Sequence, residues 1–75
     1  MDKKKYIETV TEQIRCKRAL PLVTKELEDH IEDQKSAYMA DGMDSFEAEE
    51  AAVLEMGDPV EVGIDMDRIH RPKMA

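Results

Sequence analysis

The spacing of apolar residues between positions 20 and 38 is the sequence feature that most restricts the fold. The side chains that recur three or four residues apart are Leu20, Val23, Leu27, Ile31, Gln34 and Tyr38. Because an α-helix turns once in about 3.6 residues, this spacing places them on one helical face. Pro21 fits the first helical position, and Gly42 is the kind of residue that follows a helix end. The pattern predicts a helix over about residues 21–40, the longest in the chain.

A shorter stripe of the same periodicity predicts a helix near the N-terminus, over about residues 4–16. Its apolar side chains are Tyr6, Ile7, Val10 and Ile14. Asp2 is a suitable N-cap. Three consecutive lysines follow it, and positive charge is unfavourable at this end of a helix dipole. We therefore expect residues 1–3 to fray, and residues 72–75 at the other end to do the same.

Two further helices are indicated mainly by their capping residues. Each begins with an aspartate that can accept hydrogen bonds from free backbone N–H groups, followed three residues later by a glutamate. A glycine ends the first of them, and a proline occupies the first position of the second. These signals are Asp44, Glu47, Gly57, Asp58, Pro59 and Glu61. They predict helices over about residues 45–56 and 59–70, and Gly63 allows a neighbour to approach the last helix closely.

The four helices predict a single all-α domain over residues 1–75, a bundle of four short helices. Loops of two to five residues would make consecutive helices near-antiparallel neighbours. A chain of this length buries only roughly 60% of its unfolded surface, which leaves little room for a deep pocket. The predicted core is Ile14, Val23, Leu27, Ile31, Tyr38, Phe46, Val53, Val62, Met66 and Ile69.

Charge and composition exclude several classes of function. Residues 1–25 hold seven bases and three acids, whereas residues 26–55 hold eleven acids and one base. Such an acidic middle repels phosphate backbones, so we expect no nucleic-acid binding. The single cysteine, Cys16, excludes an internal disulfide and a cysteine-rich zinc site. The chain has no apolar run long enough for a membrane span, and its three isolated glycines form no phosphate-binding loop.

The residue patterns predict no catalytic residue, no cofactor, no metal and no small-molecule substrate. The nearest approach to a site is Glu26 and His30, one turn apart on the long helix, with Asp33 and Gln34 on the same face. A metal-binding or acid–base site there is the less favoured interpretation. Because His30 lies beside Ile31 on the apolar stripe, we interpret it as a structural histidine of the core.

The outer face of the long helix carries the most informative exposed residues. Its acidic side chains are Glu28, Asp29, Glu32 and Asp33. They form like-charge pairs four residues apart, each of which destabilises a helix by a few tenths of a kcal/mol. We interpret them as a docking surface for a basic protein partner. The alternative is a solvated face, partly neutralised by Arg15, Lys17 and Arg18.

An ordered set of short segments resembles the permease prefix domain, which is related to the HAAS domain. The segments are Gln13-Ile14-Arg15-Cys16-Lys17, Glu26 to Gln34, Ala37-Tyr38, Gly42-Met43, Glu47-Ala48, Ala52-Val53, Met56 to Pro59 and Asp67 to Pro72. The family consists of small helical modules at the cytosolic N-termini of bacterial membrane proteins, including permeases and cell-cycle proteins of the FtsW/RodA/SpoVE type. The resemblance implies a non-catalytic regulatory or protein-interaction role at the cytoplasmic side of the inner membrane, with a PadR-like regulator as one partner.

Family members continue into transmembrane helices, so we expect the natural reading frame to do so within about 10–30 residues of Ala75, with an apolar run of roughly 20 residues. His70, Arg71 and Lys73 fit the positive charge found on the cytosolic side of such helices. The alternative is a free-standing, soluble helical interaction protein. Met56-Gly57 is also similar to the loop of the ubiquitin-associated domain, but Asp58 stands where that loop has an aromatic residue.

Overall fold

Four α-helices make up most of the chain in the computed structural model, which describes residues 1–69. The helices are α1 (Lys3–Glu12), α2 (Leu20–Ala40), α3 (Ser45–Met56) and α4 (Pro59–Ile69), and a 3₁₀ turn (Lys17–Ala19) precedes α2. Within residues 1–69 there is no strand. The all-α prediction is confirmed. Residue 70, which we placed in the last helix, and residues 72–75 lie outside the described residues.

The predicted capping residues begin α3 and α4. Asp44 accepts a hydrogen bond on Oδ1 from the backbone N–H of Glu47 at 2.8 Å. Asp58 accepts one from the N–H of Val60, also at 2.8 Å, and Pro59 is the first residue of α4. Each bond satisfies a donor that the helix itself leaves free. Sequence therefore located both helix starts correctly.

Glycines follow the ends of α2 and α3, as predicted. Gly42 has a φ of 107° and Gly57 a φ of 92°. Residues with a Cβ rarely adopt this left-handed region, so glycine is favoured at both turns. The two-residue connection at Gly57 and Asp58 lets α4 start in a new direction immediately after α3.

The first helix differs from its predicted bounds, since α1 ends at Glu12 rather than at residue 16. Beyond Glu12 the chain leaves the helix, yet Ile14 remains buried. The N-cap prediction is confirmed, because Asp2 accepts from the N–H of Lys5 at 2.7 Å. Residues 1–3 contact α3 as well: the backbone N–H of Lys3 donates to the carboxylate of Glu49 at 3.2 Å.

The core lies between α1, α2 and α3 and is built from small and medium side chains. Its buried members are Tyr6, Ile7, Val10, Ile14, Ala19, Val23, Leu27, Ile31, Ala52 and Val53. Val62 and Met66 of α4 pack against this cluster and are partly buried. Tyr38 is half-buried, and its hydroxyl donates to the carboxylate of Glu55.

Two predicted core residues, Phe46 and Ile69, are exposed instead, by 71% and 75%. The reason for Phe46 is that α3 packs through its alanines, and Phe46 lies about 120° around the helix axis from the fully buried Ala52. The prediction for Phe46 therefore assumed the wrong buried face. Ile69 shares a face with the partly buried Val62 and Met66, but it is the last residue of α4 and stays exposed.

The pairing of the helices also departs from the expectation that each packs on the next. The main contacts join α2 with α3 and α1 with α4, whereas α3 and α4 make few contacts. Gly63 permits the close approach of α4, as predicted: a Cβ there would lie 2.6 Å from the carbonyl oxygen of Val10 in α1. The fourth helix therefore crosses to the first one and leaves the outer side of α3 uncovered.

Candidate interaction surfaces

The acidic face of α2 is exposed, as its position opposite the apolar stripe required. Glu28, Asp29, Glu32 and Asp33 are all exposed. We refer to these four residues as the α2 acidic face. They span nearly two turns of the longest helix.

Two lysines neutralise half of the α2 acidic face. Lys3 of α1 lies 2.6 Å from Glu32, and Lys25, four residues before Asp29, lies 3.2 Å from it. We predicted that Arg15, Lys17 and Arg18 neutralise this face. That prediction is wrong, because none of the ion pairs within residues 1–69 joins them to it. These three residues lie near the C-terminal end of α1, whereas the acidic face extends beside the N-terminal end, where Lys3 is.

The pair of Lys3 and Glu32 perturbs both partners. The hydrogen bond from Lys3 lowers the pKa of the Glu32 carboxyl, and the same bond raises the pKa of the Lys3 ammonium. Each charge stabilises the ionised form of the other. A second pair beside it, Lys35 with Glu49 at 3.5 Å, is more buried and joins α2 to α3. These two ion pairs link α1 to α2 and α2 to α3 beside the α2 acidic face.

Arg15 forms a different and unpredicted ion pair, with Asp67 in α4. Its backbone N–H donates to Oδ1 of Asp67 at 2.8 Å, and its guanidinium lies 3.0 Å from Oδ2. Asp67 is 7% exposed. A nearly buried carboxylate that holds both the backbone and the side chain of one arginine fixes α4 on the end of α1. No sequence spacing indicated it, because the partners are 52 residues apart.

The residues considered for metal or acid–base chemistry do not form a site. His30 is exposed, as is Glu26, so the interpretation of His30 as a core histidine is wrong. The buried line of α2 follows Val23, Leu27 and Ile31, and His30 lies about 100° around the helix from Ile31. Within the described chain, no group of three His, Cys, Asp or Glu side chains is arranged to hold a metal ion. Cys16 is a free, partly buried thiol.

A shallow apolar groove lies where α3 ends and α4 begins. It has a volume of about 350 Å³ and is lined by Met1, Tyr6, Val53, Leu54, Gly57, Asp58 and Pro59. Leu54, at its edge, is 82% exposed. We refer to this feature as the α3 groove. The α3 groove was not predicted from sequence. The available signal was Leu54, a large apolar residue outside every predicted apolar stripe.

Tyr6 contributes a buried polar group to the α3 groove. The side chain is 1% exposed, and its hydroxyl has no hydrogen-bond partner among residues 1–69. Burial, together with the negative charge of Asp58, raises the pKa of this hydroxyl. Tyr6 therefore places a neutral, buried hydroxyl beneath the α3 groove.

Comparison with known protein families, with curated proteins and with solved structures finds no match to this chain. The resemblance to the permease prefix domain therefore stays a prediction from sequence. None of the helices in the described part of the chain combines the length and the hydropathy needed to cross a membrane.

Proposed function

We propose that the protein is a non-catalytic regulatory module that binds another protein through the α2 acidic face. The resemblance described above extends the proposal to the cytosolic N-terminal domain of a bacterial integral membrane protein, of the permease type or the cell-cycle and cell-wall type. The observation that carries the proposal is the exposure of four adjacent carboxylates over nearly two turns of α2.

The charges on α2 favour a basic partner. Glu28 repels Glu32, and Asp29 repels Asp33, because the members of each pair are neighbours on the helix surface. Lysine or arginine side chains of a partner would relieve this repulsion, and complementary charge also accelerates association. Glu28 and Asp33 form no salt bridge to any residue in the range 1–69, although the charge of Lys3 also attracts Glu28. These two carboxylates are the best candidates for contacts with the partner.

A charge-reversal variant tests the proposal. Glu28→Lys with Asp33→Lys changes the net charge by +4 without removing the partners of Lys3 or Lys25. The matched control is Glu8→Lys with Glu12→Lys, which makes the same charge change at two exposed positions of α1. Circular dichroism should show that both variants keep the helical fold.

The binding measurement has two steps. The immobilised domain captures proteins from the source cell, mass spectrometry identifies them, and titration calorimetry then measures the affinity of the purified partner. We expect at least a tenfold loss of affinity for the α2 variant and less than a twofold change for the α1 control. Equal affinities of the two variants would instead favour the alternative, that the α2 acidic face is a solvated surface without a role in binding.

The membrane part of the proposal has a separate test in the parent gene. We expect codons beyond Ala75 that encode an apolar run of about 20 residues. A native stop codon directly after residue 75 would instead favour a free-standing interaction protein.

A further inference from the structure

The segment that forms α3 and the start of α4 combines exposed apolar side chains with side-chain charge of a single sign. Residues 36–67 contain ten aspartates and glutamates and no lysine, arginine or histidine. Within this segment, Leu54 is 82% exposed and Phe46 is 71% exposed. Exposed apolar residues bordered by charge are typical of a protein–protein contact.

The α3 groove gives this surface its shape. A second depression, of about 250 Å³ and lined by Met1, Glu50, Ala51, Val53 and Leu54, adjoins the groove. The two share Met1, Val53 and Leu54, so they form one continuous apolar surface. Glu50, which lies 3.9 Å from the ammonium group of Met1, is at one side of it and Asp58 is at the other. The surface therefore has an apolar floor and acidic borders.

The fold explains why this surface is uncovered. Gly57 and Asp58 connect α3 directly to α4, but α4 packs on α1, where Gly63 allows contact and Asp67 binds Arg15. The inner side of α3 is occupied by α2. Its outer side, which carries Leu54, has no helix of residues 1–69 against it.

We propose that the α3 groove binds a basic amphipathic helix of a partner protein. Phe46 and Leu54 lie eight residues apart on α3, or about 12 Å along its axis, which matches roughly two turns of a partner helix. Apolar side chains of that helix would cover Leu54 and Phe46, and its lysines or arginines would lie opposite Glu50 and Asp58. The inference rests on the interaction role proposed above, and it adds a second surface and a class of partner.

Charge decides between a basic helix and the other occupants that an apolar groove can take. A second copy of the chain docked through the same surface would bring acidic side chains against acidic side chains, and an anionic lipid surface would be repelled in the same way. A basic helix converts this repulsion into attraction. The binding should therefore weaken as salt concentration rises.

A designed peptide provides the test. The probe is a fluorescein-labelled peptide of 14 leucines and lysines in about equal number, with the leucines spaced three and four apart, and its binding is followed by fluorescence anisotropy. A scrambled peptide of the same composition and a peptide with glutamate in place of lysine serve as ligand controls. Leu54→Glu is the test variant. Leu22→Glu, at a 52% exposed position of α2, is its matched control.

We expect the parent domain and the Leu22→Glu variant to bind the amphipathic peptide with affinities within twofold of each other. The Leu54→Glu variant should bind it at least tenfold more weakly. The glutamate peptide should not bind. Equal binding of the scrambled peptide, or an unchanged affinity of Leu54→Glu, would overturn the proposal, because charge alone would then explain the association. A dimer in sedimentation velocity that Leu54→Glu abolishes would also overturn it, in favour of a second copy.

The two proposals fail separately. The variant with Glu28→Lys and Asp33→Lys should bind the amphipathic peptide within about threefold of the parent domain, whereas it should lose the partner of the α2 acidic face. If the parent domain binds the partner of the α2 acidic face but does not bind the amphipathic peptide, only the proposal for the α3 groove is contradicted.

Discussion

Replacement of Gly63 by alanine tests the closest contact between α4 and α1. The added Cβ would lie 2.6 Å from the carbonyl oxygen of Val10 and 2.6 Å from Cγ of Gln13. Ordinary contacts begin at 3.4 Å, so the helices must separate by about 0.8 Å if nothing else moves. The Cγ of Gln13 can rotate away. The Cβ of Gln13, at 2.7 Å, and the Val10 carbonyl cannot, because the first is fixed to the backbone and the second belongs to it and accepts a hydrogen bond from the N–H of Gln13.

The magnitude follows from two opposing effects. Overpacking of this kind costs about 1–3 kcal/mol. Alanine is more favourable than glycine inside a helix by about 1 kcal/mol, which offsets part of the cost. Separation of the helices also weakens the ion pair between Arg15 and the buried Asp67, and loss of a partner by a buried charge is strongly unfavourable. We expect a net decrease of about 1–2 kcal/mol in the free energy of unfolding.

Urea unfolding followed by far-UV circular dichroism measures the change. A second variant that combines Gly63→Ala with Gln13→Ala removes the contact with Cγ but leaves the contacts with the Val10 carbonyl and with the Cβ of residue 13, so it should recover only part of the lost stability. A Gly63→Ala protein as stable as the parent, or more stable, would refute the reasoning. It would show that α4 does not approach α1 this closely.

Three further predictions concern the core, a helix cap and a surface ion pair. Leu27→Ala should lower the free energy of unfolding by about 2–5 kcal/mol, whereas Leu22→Ala, at an exposed position of the same helix, should change it by less than about 1 kcal/mol in urea titrations. Asp58→Ala should cost about 0.5–2 kcal/mol, since α4 loses its N-cap, and an unchanged urea midpoint would contradict that role. Glu32→Gln should cost at most about 1 kcal/mol at neutral pH, because its pair with Lys3 is partly exposed to solvent. Because the pKa of Glu32 is lowered in the folded state, this stabilisation is present above the ordinary value of 4.5 and disappears as pH falls through the lowered pKa. Stability curves of the parent and the variant should therefore converge in acid, and a constant difference down to pH of about 2 would exclude the pair as its source.

Sequence alone located most helix ends, because the groups that determine them are close together in the chain. Asp44 and Asp58 bond N–H groups two or three residues away, and Gly42 and Gly57 end helices through their own backbone conformation. Such local interactions need no information about the rest of the fold. The exposure of the α2 acidic face was predictable for a related reason, since opposite sides of one helix are fixed by its periodicity.

The face that α3 buries was decided by tertiary packing. In α3 the small Ala48 and Ala52 are fully buried while Phe46 is exposed, the reverse of what side-chain hydrophobicity favours. Alanines let the backbones of α2 and α3 come close, and that contact fixes the rotation of α3. Hydrophobicity by itself cannot specify this rotation, because several arcs of a short alanine-rich helix are apolar.

The pairing of α4 with α1 also came from the tertiary structure, and the α3 groove follows from it. Gly63 was recognised as a site of close approach, but its neighbour was not, because nothing in the order of the helices specifies a partner 50 residues away. The ion pair between Arg15 and Asp67 holds α4 against the end of α1, but it forms only in the folded chain. The sequence determined where the helices are and which charges they expose. The packing of α4 on α1 decided which apolar side chains remained uncovered, since a helix can cover only one neighbour with the same face.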